Sequence, residues 1–160
     1  MTEVTIRRAV ADDAERLDTA LQALGHGLGD PHNVSPEIIL RDAFSDRPVF
    51  HALIAEQDAR LVGIALVSPM FSTATGGSGG YVSDLWVDGS LRGHGIGRRL
   101  LAEACALAIA EWNAVFLRLS VYHATPEARA FYDRLGFTAH ETQSTLSVFG
   151  PEFDRLRTPQ

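Results

Sequence analysis

Residues 85–101 read Leu85-Trp86-Val87-Asp88-Gly89-Ser90-Leu91-Arg92-Gly93-His94-Gly95-Ile96-Gly97-Arg98-Arg99-Leu100-Leu101. An apolar run ends, a glycine-rich turn follows, and an amphipathic helix begins with Ile96, Leu100, Leu101 and Ala104 on one side. Glycines at 93, 95 and 97 let a backbone approach a ligand and aim several N–H groups at it. The helix N-terminus adds partial positive charge, so the stretch suits a diphosphate. Arg98 and Arg99 fall in the first helical turn, where each cation opposes the helix dipole by about 0.3–1 kcal/mol. With Arg92 nearby, that unfavourable placement points to a bound anion. A plain connector with solvated arginines is the alternative. A dinucleotide fingerprint started at Gly93 requires glycine at position 98, which is Arg98.

Composition narrows the chemistry further. All 14 basic residues are arginine. Without lysine there is no P-loop, no lysine nucleophile and no pyridoxal-phosphate Schiff base. The net charge of -6 argues against a nucleic-acid partner, which requires a basic face. No apolar run approaches the ~20 residues of a membrane span, so no membrane partner is expected. One cysteine excludes an internal disulfide framework and fits a reducing compartment, with no apolar signal segment at the N-terminus. A cytoplasmic protein is expected. At 160 residues, one domain over 1–160 is expected.

The elements that must position the turn follow from periodicity and punctuation. Val4–Arg8 reads as a strand. Asp12 and Asp13 cap a helix carrying Leu17, Leu21 and Leu24, which Gly25, Gly27, Gly29 and Pro31 break. Ser35-Pro36-Glu37 opens a second helix to about Phe44. Phe50–Glu56 and Leu61–Val67 form a hairpin around Gln57-Asp58-Ala59-Arg60. A loop over Ser72–Gly80 leads to a strand at Tyr81–Val87, then a helix from about Gly95 to Glu111. Val115–Val121 reads as a strand, Pro126–Leu135 as a helix, and Thr142–Phe149 as one or two strands. This order predicts an α/β fold with a mixed, largely antiparallel sheet flanked by helices.

Arg92-x-x-Gly95-x-Gly97 after Leu85-Trp86-Val87 resembles the acetyl-coenzyme A motif of the GNAT superfamily of N-acetyltransferases. Ala128-x-x-Phe131-Tyr132-x-x-x-Gly136-Phe137 resembles that superfamily's second segment. A resemblance to the diamine (spermidine/spermine) acetyltransferase branch rests on Ala43-Phe44, on Arg47 to Glu56, and on Ser83-Asp84-Leu85-Trp86-Val87. The resemblance implies acetyl-coenzyme A as cosubstrate and a small-molecule amine as acceptor. It also implies a homodimer with the Thr142–Phe149 strands at its interface. By the same resemblance, the backbone of Leu85, Trp86 and Val87 pairs with the pantetheine arm. Amides of Gly93, His94, Gly95, Ile96, Gly97 and Arg98 hold the diphosphate beside Arg92. Thr125 to Ala128 flank the coenzyme further along, with Thr125 read as a helix cap before Pro126.

Acetyl transfer requires a neutral amine. An alkyl amine titrates near 10.4, so reaching that form at pH 7 costs about 4.6 kcal/mol. The resemblance assigns the general acid to Tyr132, while the residues alone leave open a packing role beside Phe131 and Leu135. The diamine branch places a glutamate before the aspartate matched by Asp84, and this chain has Ser83 there. Asp84, His123 or an ordered water chain then remain as the base; an ordinary polar contact is the other reading of Asp84.

Other signals carry less. Gly76-Gly77-Ser78-Gly79-Gly80 matches a nucleophile motif in letters, but a strand follows it where a helix is required, so a flexible loop is expected. Cys105, beside Leu101 and Ile109, reads as a small buried hydrophobe. The six histidines show no recognised metal spacing, and no metal is expected. Three functions stay in play: an acetyltransferase of a small-molecule primary amine (a polyamine or diamine, or an amino-acid-like amine), an acetyltransferase of protein N-termini or lysines, and a non-catalytic acetyl-coenzyme A sensor.

Overall fold

The computed structural model describes residues 3–157. They fall into two compact units, one running to Ser120 and the other from Val121. In the first, β1 (Thr5–Arg8), β2 (His51–Gln57), β3 (Arg60–Ser72), β4 (Gly77–Val87) and β5 (Leu117–Leu119) form a sheet in the order β1-β2-β3-β4-β5. The first four pair antiparallel and β5 runs parallel to β4. The expected α/β class with a mixed, largely antiparallel sheet is what forms.

Two layers of helix cover the sheet, and alternation along the strands decides which residue meets which layer. Ile54, Ile64 and Leu66 face α1 (Ala14–Leu28) and α2 (Pro36–Ala43), in a core with Leu17 and Ile39. Gly63 faces α3 (Ile96–Trp112), where a Cβ would lie 3.0 Å from Leu100 Cδ1. Buried Leu100, Ala104 and Ala108 repeat at four-residue steps and form the seam of α3.

The Asp13 side chain does not cap the backbone of α1. Ala11–Asp13 is a 3-10 turn, and the Asp13 carboxylate accepts from the Val10 amide at 2.8 Å. It also receives both terminal nitrogens of Arg7, at 2.8 and 3.0 Å, and Arg16 at 3.0 Å. The Arg7 hydrogen bonds hold this buried carboxyl below its usual range against the opposing effect of burial. The network ties the start of α1 to β1 and, through Glu56, to β2.

α1 runs through Gly25 and Gly27, contrary to the expected break, and stops at Gly29. Gly29 adopts φ 76°, and the Asp30 amide donates back to the Gly25 carbonyl at 2.9 Å, a left-handed helix end that glycine adopts without a Cβ clash. α2 begins as expected, with Ser35 Oγ accepting from the Ile38 amide at 3.4 Å.

The expected loop over Ser72–Gly80 is largely strand. β3 and β4 continue their pairing out to Ser72↔Gly77, leaving a short turn. The glycines serve close approach there: a Cβ on Gly79 would lie 2.4 Å from the Phe116 ring, just before β5. β5 itself is three residues long, shorter than the expected Val115–Val121. Cys105 is exposed, on the outer side of α3 with Ile109, and not part of the core. Among the described residues no helix is long and apolar enough to cross a membrane.

The second unit holds α4 (Pro126–Arg134) and α5 (Gly150–Leu156). Thr125 precedes α4, but its hydroxyl donates to the Tyr122 carbonyl at 2.9 Å and makes no side-chain cap. The strands expected over Thr142–Phe149 do not form; that segment is exposed and irregular. Alternating apolar residues specify a strand only when another strand is available to pair. The expected dimer interface therefore has no strand in the single chain.

Candidate active site

The Ser83 position organises the site. Val67 pairs with Val82 and Leu66 pairs with Asp84, so Ser83 is the extra residue of a β-bulge. A bulge moves every later side chain to the opposite face. Val82 is buried beneath α3, yet Asp84 and Trp86 share the α1–α2 face with Leu66 and Ile64. Unbroken alternation would have buried the Asp84 carboxylate under α3. The pairing of β4 with β5 also ends here, at Val82↔Leu119. Among the described residues, Ser83–Val87 thus have a strand neighbour only in β3, and their other edge offers backbone N–H and C=O groups to a ligand.

β4 leads directly into the glycine turn. Asp88 accepts from the Ser90 amide at 2.9 Å and the Ser90 hydroxyl at 2.6 Å, which together hold its carboxyl below the usual range. Arg92 Nε donates to the Val87 carbonyl at 3.2 Å, and His94 Nδ1 lies 3.0 Å from the Arg92 carbonyl. Gly93 and Gly95 adopt φ 81° and 80°, and a Cβ on either would meet nothing within 4 Å. The turn is therefore open on its outer side. The first bond within α3 is Arg99 N–H to the Gly95 carbonyl at 3.1 Å, so the amides of Ile96, Gly97 and Arg98 precede the helical ladder. The Ile96 side chain is buried, and only its amide is available to a ligand. Arg98 is exposed at this end. Arg99 departs from expectation, since its guanidinium donates to the Val4 carbonyl at 2.8 Å and ties α3 to the chain just before β1. The amides and the exposed Arg92 and Arg98 fit a diphosphate.

On the α1–α2 face lies a cavity of about 500 Å³. Leu21, Leu24, Phe50 and Leu66 contribute apolar wall, and Ser83 and Asp84 reach it from the bulge. Its polar wall also includes Asp30, His32 and Asn33, in the segment between α1 and α2, and Ser68 on β3, none of which the sequence pattern singles out as a site. His32 Nε2 lies 2.8 Å from Asp18 Oδ1. The residues are 14 apart, and the reversal at Gly29 brings them together.

The second unit carries Thr125, Ala128 and Tyr132. Tyr132 is half-buried, with edge contacts to the rings of Phe131 at 5.1 Å and Phe137 at 5.5 Å. Burial pushes its hydroxyl above the ordinary tyrosine value, so it remains protonated throughout the neutral range. His123 is exposed.

The sequence profile described as the Acetyltransferase (GNAT) family matches residues 16–137. The chain belongs to that family. GNAT acetyltransferases use acetyl-coenzyme A, and this chain is an acetyltransferase. It is 30% identical over 146 residues to the thialysine N-epsilon-acetyltransferase of Sus scrofa, covering 85% of each protein. It is 34% identical over 91 residues to the glucosamine 6-phosphate N-acetyltransferase of Trypanosoma brucei brucei, covering 56% of this chain and 58% of the other. An integron cassette protein from the mobile metagenome of V. cholerae has the same GNAT fold at TM-score 0.79, 21% identity and coverage of 99% and 100%.

Proposed function

We propose that this protein transfers the acetyl group of acetyl-coenzyme A to a primary amine of a small cationic molecule, such as a diamine or polyamine. The cavity carries this reading. Its volume suits a small molecule. Its polar wall includes the carboxylates of Asp30 and Asp84, and among the described residues it includes no arginine. A free amino acid would bring a carboxylate, whose usual partner is an arginine fork. A diamine instead offers a cation at each end of an aliphatic stem, which Leu21, Leu24 and Phe50 would cover.

In this reading the edge of Leu85, Trp86 and Val87 that has no strand neighbour binds the pantetheine amides. Arg92 and the amides from Gly93 to Arg98 bind the diphosphate, and Thr125 and Ala128 flank the coenzyme. Bound acetyl-coenzyme A supplies an activated acyl carbon with a thiolate leaving group. Asp84 draws the ammonium end of the amine to the bulge, beside the coenzyme edge of β4. The amine nitrogen, once neutral, attacks the thioester carbonyl, the C–S bond breaks, and Tyr132 gives its proton to the departing sulfur.

Asp84→Asn tests the amine site. A carboxylate that receives a cation contributes about 1.5–3 kcal/mol as a charge-assisted bond. The diamine KM is expected to rise by roughly tenfold or more, with the acetyl-coenzyme A KM within about twofold. An unchanged amine KM would remove Asp84 from the site.

A further inference from the structure

With Ser83 where the diamine branch carries a glutamate, the amine's proton requires another acceptor. We propose that His32, oriented by Asp18, is the general base of this acetyltransferase. The inference rests on the reading that the cavity binds the amine.

His32 lines the cavity together with Asp84. The His32 and Asp18 side chains are 23% and 24% exposed, so the pair is shielded yet able to exchange protons with water. Asp18, on α1, accepts from Nε2–H at 2.8 Å, and that bond selects the tautomer with a lone pair on Nδ1. A carboxylate that fixes the far nitrogen while the near one accepts a proton is the arrangement by which imidazoles act as bases elsewhere. Asp18 on α1 is bonded to His32, and the other charged groups that line the same cavity are Asp30, in the segment of His32, and Asp84 on β4. All three are acidic.

The step balances. An R–NH3+ group held near Asp84 loses one proton to His32 Nδ1, and its lone pair then forms the C–N bond as the C–S bond breaks. The sulfur leaves with the electron pair and is protonated. His32 returns its proton to solvent, the second amine proton passes to solvent as the amide forms, and Tyr132 regains from solvent the proton it gave to sulfur. Asp18 is a positioning residue: it does not contact the amine.

His32→Gln separates this role from a structural one, because the glutamine amide can still donate to Asp18 and keep the 30–34 segment on α1. Without an internal base, only amine already neutral in solution reacts. The variant's kcat/KM is then expected to rise about tenfold per pH unit from pH 7 toward the amine value near 10, while the wild type is flat over that range. At pH 7 the loss is therefore expected to be about 10³-fold, narrowing as pH rises toward 10, with partial rescue by added imidazole. A loss of the same size at every pH, or a pH 7 activity within about threefold of wild type, would overturn the assignment. Wild-type inactivity toward every amine would overturn the reading beneath it, and this assignment with it.

Discussion

Gly95→Asp abolishes the thermal stabilisation that acetyl-coenzyme A gives the wild-type protein. By linkage, ligand at 100 times its Kd adds about 2.7 kcal/mol to the folded state. For a chain of this size that raises Tm by about 5–10 °C. Gly95 sits at φ 80° immediately before α3, where the diphosphate is proposed to bind. An aspartate there places a negative charge among amides that would receive negative oxygens, and it fills the space that the glycine leaves open. The fold itself survives, because a Cβ at this position meets no atom within 4 Å. The backbone cost of a left-handed non-glycine residue is about 1–2 kcal/mol. Gly95→Ala carries the same backbone cost without the charge, so comparing the two isolates the anion site. A Tm shift in Gly95→Asp equal to that of the wild type would remove the diphosphate from this turn.

Tyr132→Phe lowers kcat by about 10²-fold, the low end for loss of a general acid. The reason lies in the two proton affinities. A thiol of the leaving-group type titrates near 8.5 and tyrosine near 10, so transfer to a free thiolate is uphill by about 2 kcal/mol. Burial raises the Tyr132 hydroxyl further, which keeps the proton in place but makes it a poorer donor to a solvated thiolate. The thiolate can also leave unassisted, so activity persists without the hydroxyl. Phenylalanine preserves the edge contacts with Phe131 and Phe137, and the melting temperature and coenzyme affinity should stay within error of wild type. Pre-steady-state measurement with chemistry rate-limiting decides the matter. A kcat equal to wild type would reduce Tyr132 to a packing residue and shift attention to Tyr122 or solvent.

The glycine turn was legible in the sequence because its chemistry and its backbone make the same demand: glycines at 93 and 95 provide both the left-handed conformations and the opening for a ligand. The hairpin of β3 and β4 was not. Glycine-rich sequence ordinarily marks a loop, whereas Gly79 and Gly80 lie within β4 because Phe116 and Leu117 approach too closely for any side chain. The bulge at Ser83 leaves no signature either, since a one-residue slip in pairing depends on β3 as much as on β4. It decides which face Asp84 occupies, and so periodicity alone could place that residue on a strand without placing it in the cavity. The alternation over Thr142–Phe149 misled for the opposite reason, promising a strand that pairs with none among the described residues. His32 and Asp18 were invisible because their pairing arises from the reversal at Gly29, not from spacing.

Acetyl transfer itself is measured most directly by thiol release from acetyl-coenzyme A, with mass analysis of the amine product. The panel should span a diamine, a polyamine, a free amino acid, an aminoglycoside and a lysine-containing peptide. One thiol is expected to be released for each acetyl group found on nitrogen, with the highest kcat/KM for the diamine or polyamine. Saturable binding of acetyl-coenzyme A with no thiol release for any amine would contradict it and leave a coenzyme-binding sensor.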